Sequence, residues 1–141
     1  MGGNASNKKE MDIIFKSFDY DKSGMIDRLE IAKYMKINYP KFPLQVVDLF
    51  IMLADKDGNG EIDKKEFADF YKVVQASVAT EMDLINIVYT ATSVSEGSEN
   101  ITNTRMVKVL KCFGIIVTKE QLKYKTFNKF QFLKEVEQFF E

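Results

Sequence analysis

The sequence of 141 residues contains no histidine and only one cysteine, Cys112. Without histidine, the chain lacks the commonest general base in enzymes and the imidazole ligands of many metal sites. A single thiol can form neither an internal disulfide nor a zinc site built from several thiolates. No nucleophile elbow or phosphate-binding loop stands in the sequence either. We therefore do not expect an enzyme.

The chain also has no large excess of positive or negative charge and no long hydrophobic run. Lys and Arg number 20 against 21 Asp and Glu, for a net charge of −1, so no nucleic-acid partner is expected. The near-apolar stretches are too short to span a bilayer, and the polar N-terminus lacks the apolar core of a secretory signal. With 45% apolar residues, the composition is that of a folded globular protein. We expect a monomer, and a cytoplasmic location, since a single thiol fits a reducing compartment.

The N-terminus fits a lipidation pattern. It begins Met-Gly and carries Ser6, as the acceptor pattern for N-myristoylation at Gly2 requires. Lys8 and Lys9 follow, and basic residues next to an acyl chain favour contact with an anionic membrane. The alternative is an unmodified polar tail. The pattern therefore predicts a lipidation site at Gly2 and a membrane-associated form of the protein.

Apolar residues recur at helical spacing along nearly the whole chain. This spacing predicts an all-α fold of eight helices, paired as four helix–loop–helix units in two lobes. The sequences at 80–83 and 118–121 resemble capping boxes, which predict the starts of the fifth and seventh helices. We expect a flexible tail over residues 1–7, an N-terminal pair over 8–76 and a C-terminal pair over 77–141. A hinge is expected around residues 75–80, and the alternative there is one continuous helix.

Residues 19–30 and 55–66 share one pattern of twelve positions. Oxygen-bearing side chains stand at positions one, three, five, nine and twelve, with glycine at six and isoleucine at eight. This is the spacing of the EF-hand calcium loop. Ca²⁺ takes six to eight oxygen ligands, and alternate residues of a tightly turned loop point inward. Glycine at position six permits the sharp bend with positive φ.

Each loop predicts one Ca²⁺ site, so the cofactor is two Ca²⁺ per chain. The ligands predicted for the first site are Asp19, Asp21, Ser23, Met25, Asp27 and Glu30. Those predicted for the second site are Asp55, Asp57, Asn59, Glu61, Asp63 and Glu66. Position seven binds through its backbone carbonyl, position nine through a water, and the glutamate at position twelve with both oxygens. Ile26 and Ile62 are expected to face each other in a short β-bridge that couples the sites.

Over residues 8–74 the sequence resembles calmodulin and related EF-hand calcium sensors. The resemblance implies a lobe that opens on binding Ca²⁺ and exposes a hydrophobic groove for an amphipathic helix of a target protein. Met11, Met35 and Met52 suit either such a groove or an ordinary core. Two alternatives remain open at this stage. One is a calcium buffer that barely opens, and the other is a constitutive structural subunit similar to a myosin light chain.

The repeat continues more faintly in the second half. It predicts loops over residues 94–105 and 123–134, with Ile101 and Phe130 at position eight. The first of these has Arg105 at position twelve, and the second has lysines where oxygen donors should stand. Lysine offers no acceptor, so we expect helix–loop–helix units that have lost the metal. The alternative is an unrelated helical domain.

Positive charge is concentrated in the same half. Residues 105–134 contain eight Lys or Arg residues and a single acid, Glu120. Such a segment fits a solvated helix face. If its lysines converge in space, it also fits an anionic membrane or an acidic partner.

Overall fold

A computed structural model describes residues 3–80 and 83–140, with side chains from residue 9 onward. Gly2, the predicted lipidation site, lies outside the described residues. Within them the chain forms seven α-helices: α1 (Gly3–Phe18), α2 (Arg28–Asn38), α3 (Val47–Ala54), α4 (Lys64–Ala79), α5 (Leu84–Glu96), α6 (Asn103–Lys111) and α7 (Lys129–Phe139). Two short strands, β1 (Ile101–Thr102) and β2 (Thr126–Phe127), pair antiparallel. The expected all-α fold with short β-bridges is confirmed.

The helices of the first half begin at the ends of the two calcium-type loops. Asp27 and Asp63 are the N-caps of α2 and α4. In each case the capping carboxylate accepts a hydrogen bond from the backbone of the glutamate three residues later, Glu30 or Glu66. The glutamate side chain returns a bond to the backbone of the cap. This capping box satisfies two orphan donors and starts each helix at the last position of its loop.

Two helix starts differ from the sequence prediction. Thr80 ends α4 instead of opening α5, because Asp83 is the N-cap of α5 and its side chain accepts from the Asn86 amide. The capping box at Thr118 forms, but it opens only a 3-10 turn over Lys119–Gln121. Strand β2 begins soon afterwards, so the chain must extend again before another α-helical turn can form. The expectation of eight α-helices was therefore wrong by one.

The two bridges place the paired loops side by side. Ile26 and Ile62 exchange backbone hydrogen bonds of 2.8 and 2.9 Å, as the sequence predicted. In the second half, Ile101 faces Phe127 rather than Phe130. The predicted register of the fourth loop was therefore wrong by three residues, and the loop corresponds to residues 120–131.

One continuous core joins the halves of the chain. In the first half, Phe18 stacks on Tyr34 at 3.7 Å between ring centroids and meets Phe67 and Phe70 edge to face. Met35 is fully buried, so it is a core residue here, while the side chain of Met52 is partly buried.

No helix in the described part of the chain is long and apolar enough to cross a membrane.

Helix α5 packs against α3 and α4 and so connects the second half to the calcium-type pair. The Ser95 hydroxyl donates to the Leu53 carbonyl at 3.5 Å. Cys112 lies half-buried at the same junction, with Sγ 4.0 Å from the carbonyl oxygen of Asp48. Burial raises the pKa of the Cys112 thiol to about 11, which keeps it protonated at neutral pH. The thiol therefore behaves as a small buried group.

Candidate calcium sites

Both loops take the same backbone path. Gly24 and Gly60, at position six, have φ of +86° and +80°. Position four is also left-handed, with φ of +72° at Gly58 and +58° at Lys22. A left-handed conformation is uncommon for a residue with a side chain. The shared geometry at Lys22 therefore shows that the loop imposes the bend even where the sequence does not favour it.

Hydrogen bonds to Asp19 and Asp21 organise the first half of loop 19–30. The amides of Ser23 and Gly24 donate to the two carboxylate oxygens of Asp19, at 3.1 and 2.8 Å. The Ser23 amide also donates to Asp21 Oδ1 at 3.0 Å. The Ser23 hydroxyl donates to the carbonyl of Met25 at 2.9 Å. These bonds connect four of the predicted ligands with one another.

Loop 55–66 repeats these contacts. The amides of Asn59 and Gly60 donate to the two oxygens of Asp55, at 3.2 and 2.6 Å. The Asn59 amide also approaches Asp57 Oδ1 at 3.3 Å. The Asn59 Oδ1 accepts from the amide of Glu61 at 3.0 Å. The carboxylates at positions one and three are therefore held in the same orientation in both loops.

The glutamates at position twelve close the loops from inside the exiting helices. Glu30 and Glu66 are only 7% and 5% exposed. Glu66 accepts from Asp63 through Oε1 at 3.1 Å and from Lys56 through Oε2 at 2.7 Å. Glu30 accepts from Asp27 and Asp21 in the same way, both at 3.1 Å. Each carboxylate thus connects the start of its loop to the first turn of a helix.

Three carboxylates converge in each loop. Oxygens of Asp19, Asp21 and Glu30 lie within 4.8 Å of one another, and so do oxygens of Asp55, Asp57 and Glu66. Oxygens on opposite sides of one Ca²⁺ stand about 5 Å apart, since each Ca–O distance is about 2.3–2.6 Å. Both carboxylate sets therefore fit around a single calcium ion.

Asp27 and Asp63, at position nine, lie outside these two sets among the described residues. Oδ1 of each is used as a helix cap. The expected contact of position nine with the ion through a water stays a prediction.

Burial and hydrogen bonds shift the pKa values of several carboxylates in the loops. Burial raises the pKa of Glu30 above its usual value. The pKa of Asp57 is raised mainly by its hydrogen bond with Asp55 and further by desolvation. Hydrogen bonds from Ser23 instead lower the pKa of Asp21. A divalent cation favours the charged form of every carboxylate around it. The arrangement is therefore suited to a cation that compensates this charge.

The loops of the second half are closed without carboxylate clusters in the described residues. In loop 94–105, Arg105 at position twelve pairs with Glu96 at position three, Nε to Oε1, at 2.7 Å. Its guanidinium also approaches Met52 Sδ of α3 at 3.5 Å. A positive side chain therefore sits where the two calcium-type loops have their glutamate. The sequence pattern shows Arg105 at position twelve but does not predict this ion pair.

Loop 120–131 keeps the capping box and little else of the calcium pattern. Asn128 and Gln131 make the reciprocal bonds that Asp27 and Glu30 make in the first loop. These uncharged residues stand at positions nine and twelve of the loop. An Asn followed three residues later by Gln was a visible signal for the correct register. The predicted register over residues 123–134 instead follows the projected repeat, which sets Phe130 at position eight.

The Glu96–Arg105 pair is expected to stabilise the fold measurably. A double-mutant cycle with Glu96→Ala and Arg105→Ala should give a coupling energy of about 0.5–1 kcal/mol, because both side chains are mostly buried. The measurement is urea denaturation. The pair of Lys56 and Asp69 is the control, since both side chains are mostly exposed, and its coupling should be close to zero. Equal coupling in the two pairs would contradict a special role for Arg105.

Comparisons with known proteins agree with this geometry. Residues 8–72 match the family model of the EF-hand domain pair. Human guanylyl cyclase-activating protein 3 is 29% identical over 70% of this chain and 49% of its own length. Probable calcium-binding protein CML18 of Arabidopsis thaliana is 27% identical over 80% of the chain and 68% of its own length. A mouse calcineurin subunit is 32% identical over 48% of the chain and 41% of its own length.

Residues 8–72 are thus similar to the EF-hand domain pair, and the relatives include proteins named as calcium-binding. The chain spans about half the length of the human relative that it matches. The family match covers both calcium-type loops and ends inside α4.

Proposed function

We propose that the chain is a calcium sensor and adaptor that binds one Ca²⁺ in each of loops 19–30 and 55–66. The observation that carries the proposal is the convergence of three carboxylates in each loop. In the first site, the ligands are the side chains of positions one, three, five and twelve, the carbonyl of Met25, and a water held by Asp27. The second site uses the same positions, with the carbonyl of Glu61 and a water held by Asp63.

The position-twelve glutamates provide the link from binding to movement. Glu66 now uses Oε2 to accept from the backbone of Lys56. Binding both oxygens to Ca²⁺ replaces this bond with contacts to the ion, and the first turn of α4 must follow its carboxylate. Glu30 acts on α2 in the same way. The two movements are coupled, because the Ile26–Ile62 bridge joins the loops.

Movement of α2 and α4 would separate apolar surfaces that are now in contact. Phe18 of α1 packs against Tyr34 of α2 and Phe70 of α4. Opening exposes the faces that carry Met35 and Tyr71, and these faces form the groove that would accept an amphipathic helix. The names of two relatives support a protein target in general. The human relative is named for activation of guanylyl cyclase, and the mouse relative is named as a part of calcineurin.

A calcium buffer is the second candidate, and one contact favours it. Helix α5 packs against α3 and α4, so an outward movement of α4 has to overcome this packing. A buffer would bind the same two ions and keep the helices closed.

Addition of Ca²⁺ is expected to increase the fluorescence of a hydrophobic dye and to shift the NMR signals of Met35 and Tyr71. Both effects follow from exposure of the apolar faces of α2 and α4. The control is the double variant Glu30→Gln/Glu66→Gln. It is expected to retain the fold, but it loses the charged ligands at position twelve that link Ca²⁺ binding to helix movement. Unchanged dye binding and unchanged signals on saturation with Ca²⁺ would favour the buffer.

Membrane contact remains a prediction from the sequence. A myristoyl group at Gly2 would hold the protein only weakly, and the lysines that follow it would add electrostatic attraction to an anionic leaflet.

A further inference from the structure

A groove of about 960 Å³ lies in the second half of the protein, away from both calcium-type loops. One wall is the outer face of α7, where Phe130, Lys134 and Gln138 are each four residues apart and so lie in one row. The opposite wall is the segment from Val117 to Tyr124. The inner face of α7 is turned away from the groove, since its Phe132 and Val136 are buried in the core.

The groove is linked to the missing helix of the fourth unit. The segment before loop 120–131 forms an extended stretch and one 3-10 turn instead of an α-helix. Such a segment covers less of α7 than a helix would. Phe130 is consequently 68% exposed at the edge of the groove, while Tyr124 and Phe139 are only partly buried against the core. The groove therefore has an aromatic lining that the fold leaves uncovered.

Two lysines stand at the rim of the groove. Lys123 Nζ lies 5.6 Å from the ring centroid of Tyr124, and Lys134 Nζ lies 5.6 Å from that of Phe130. Within residues 9–80 and 83–140, neither ammonium group forms an ion pair with a carboxylate. The acid in the lining, Glu135, instead accepts from the Gln138 amide at 2.6 Å. The rim thus offers unpaired positive charge directly above aromatic rings.

We propose that this groove binds an acidic peptide segment of a partner protein. An apolar side chain of the segment would insert between Phe130 and Phe139, and flanking carboxylates would pair with Lys123 and Lys134. This arrangement has the apolar centre and charged rim of a protein interface. From Phe130 to Phe139, α7 is about 13 Å long, which is room for about four extended residues. The concave shape favours a peptide over a flat membrane surface.

This surface is separate from the groove of the proposed sensor function. Its lining includes none of the predicted calcium ligands. Binding is therefore expected both with Ca²⁺ and in EGTA. The partner would also differ in charge from the basic helices that calmodulin-like lobes bind. One chain could therefore bind two segments, from two different proteins or from a single protein.

The test uses fluorescence anisotropy with the full chain and a labelled peptide in which glutamates flank phenylalanine and leucine. The same peptide with lysine in place of glutamate is the probe control. Charge reversal by Lys123→Glu/Lys134→Glu should weaken binding of the acidic peptide by about tenfold or more. The matched variant Lys108→Glu/Lys111→Glu makes the same change of charge on exposed positions of α6, outside the lining. It should weaken binding only slightly.

A second variant tests the apolar contact. Phe130→Ala should weaken binding about tenfold, whereas Ile37→Ala, at a comparably exposed residue of α2, should leave it unchanged. No binding of the acidic peptide, equal losses in the matched variants, or loss of binding in EGTA would each overturn the proposal. Binding to phosphatidylserine vesicles without binding to the peptide would assign the surface to membranes and would also overturn it.

Discussion

Glu66→Gln is expected to remove high-affinity Ca²⁺ binding at loop 55–66 and to weaken binding at loop 19–30. The substitution keeps the shape of the side chain and its place in the capping box, as Gln131 does in the fourth loop. It removes the negative charge of the ligand that binds with both oxygens. Calorimetry should show a stoichiometry of one instead of two and a loss of affinity of about a hundredfold at the altered site.

Glu61→Gln is the matched control for this experiment. Glu61 lies in the same loop and loses the same charge, but position seven contributes its backbone carbonyl and not its carboxylate. Affinity should therefore fall far less than in Glu66→Gln. A similar loss in both variants would show that net charge, rather than the bidentate ligand, controls binding. Three or four Ca²⁺ per unaltered chain would contradict the metal-free second half.

Saturating Ca²⁺ is expected to raise the free energy of unfolding by several kcal/mol. An ion that binds only the folded state contributes about 4 kcal/mol per site at a thousandfold excess over its dissociation constant. Sensor loops bind in the range of about 10⁻⁷–10⁻⁵ M, so about 10 mM Ca²⁺ reaches that excess across the whole range. The ion also compensates the negative charge of each set of three carboxylates.

Urea denaturation in EGTA and in Ca²⁺ measures this difference. The variant Glu30→Gln/Glu66→Gln should gain little or nothing from Ca²⁺, because both bidentate ligands are changed. Its stability in EGTA should be close to that of the unaltered chain, or slightly higher, since two buried charges are removed. An equal gain from Ca²⁺ in the variant would mean that the ion acts elsewhere.

The sequence by itself determined the local features of the calcium-type pair. The glycine, oxygen donors and isoleucine within twelve residues set the backbone path of a single loop. The pattern therefore predicts that path directly. The bend at Gly24, the Ile26–Ile62 bridge and the approach of Asp19, Asp21 and Glu30 all appear in the structure. The use of residues 19–30 and 55–66 as Ca²⁺ ligands stays a prediction that calorimetry can test.

Tertiary structure alone decided the arrangement of the second half. The partner of Ile101 is Phe127 and not Phe130, because β-pairing joins segments far apart in sequence and the repeat spacing carries no information about a shortened unit. The helix predicted after Thr118 is reduced to a 3-10 turn for the same reason: the chain has to extend again to reach the bridge. Packing between distant elements therefore overrode a local helix signal.

The contact of Arg105 with Glu96 and Met52 and the packing of α5 on the calcium-type pair were likewise decided only in three dimensions. Periodicity shows that a helix has an apolar face, but it does not show which other helix covers that face. The local geometry of the calcium-type loops could therefore be predicted from the sequence. The register of the fourth loop, the contacts between the two halves and the uncovered groove beside α7 depended on the packing of the whole chain.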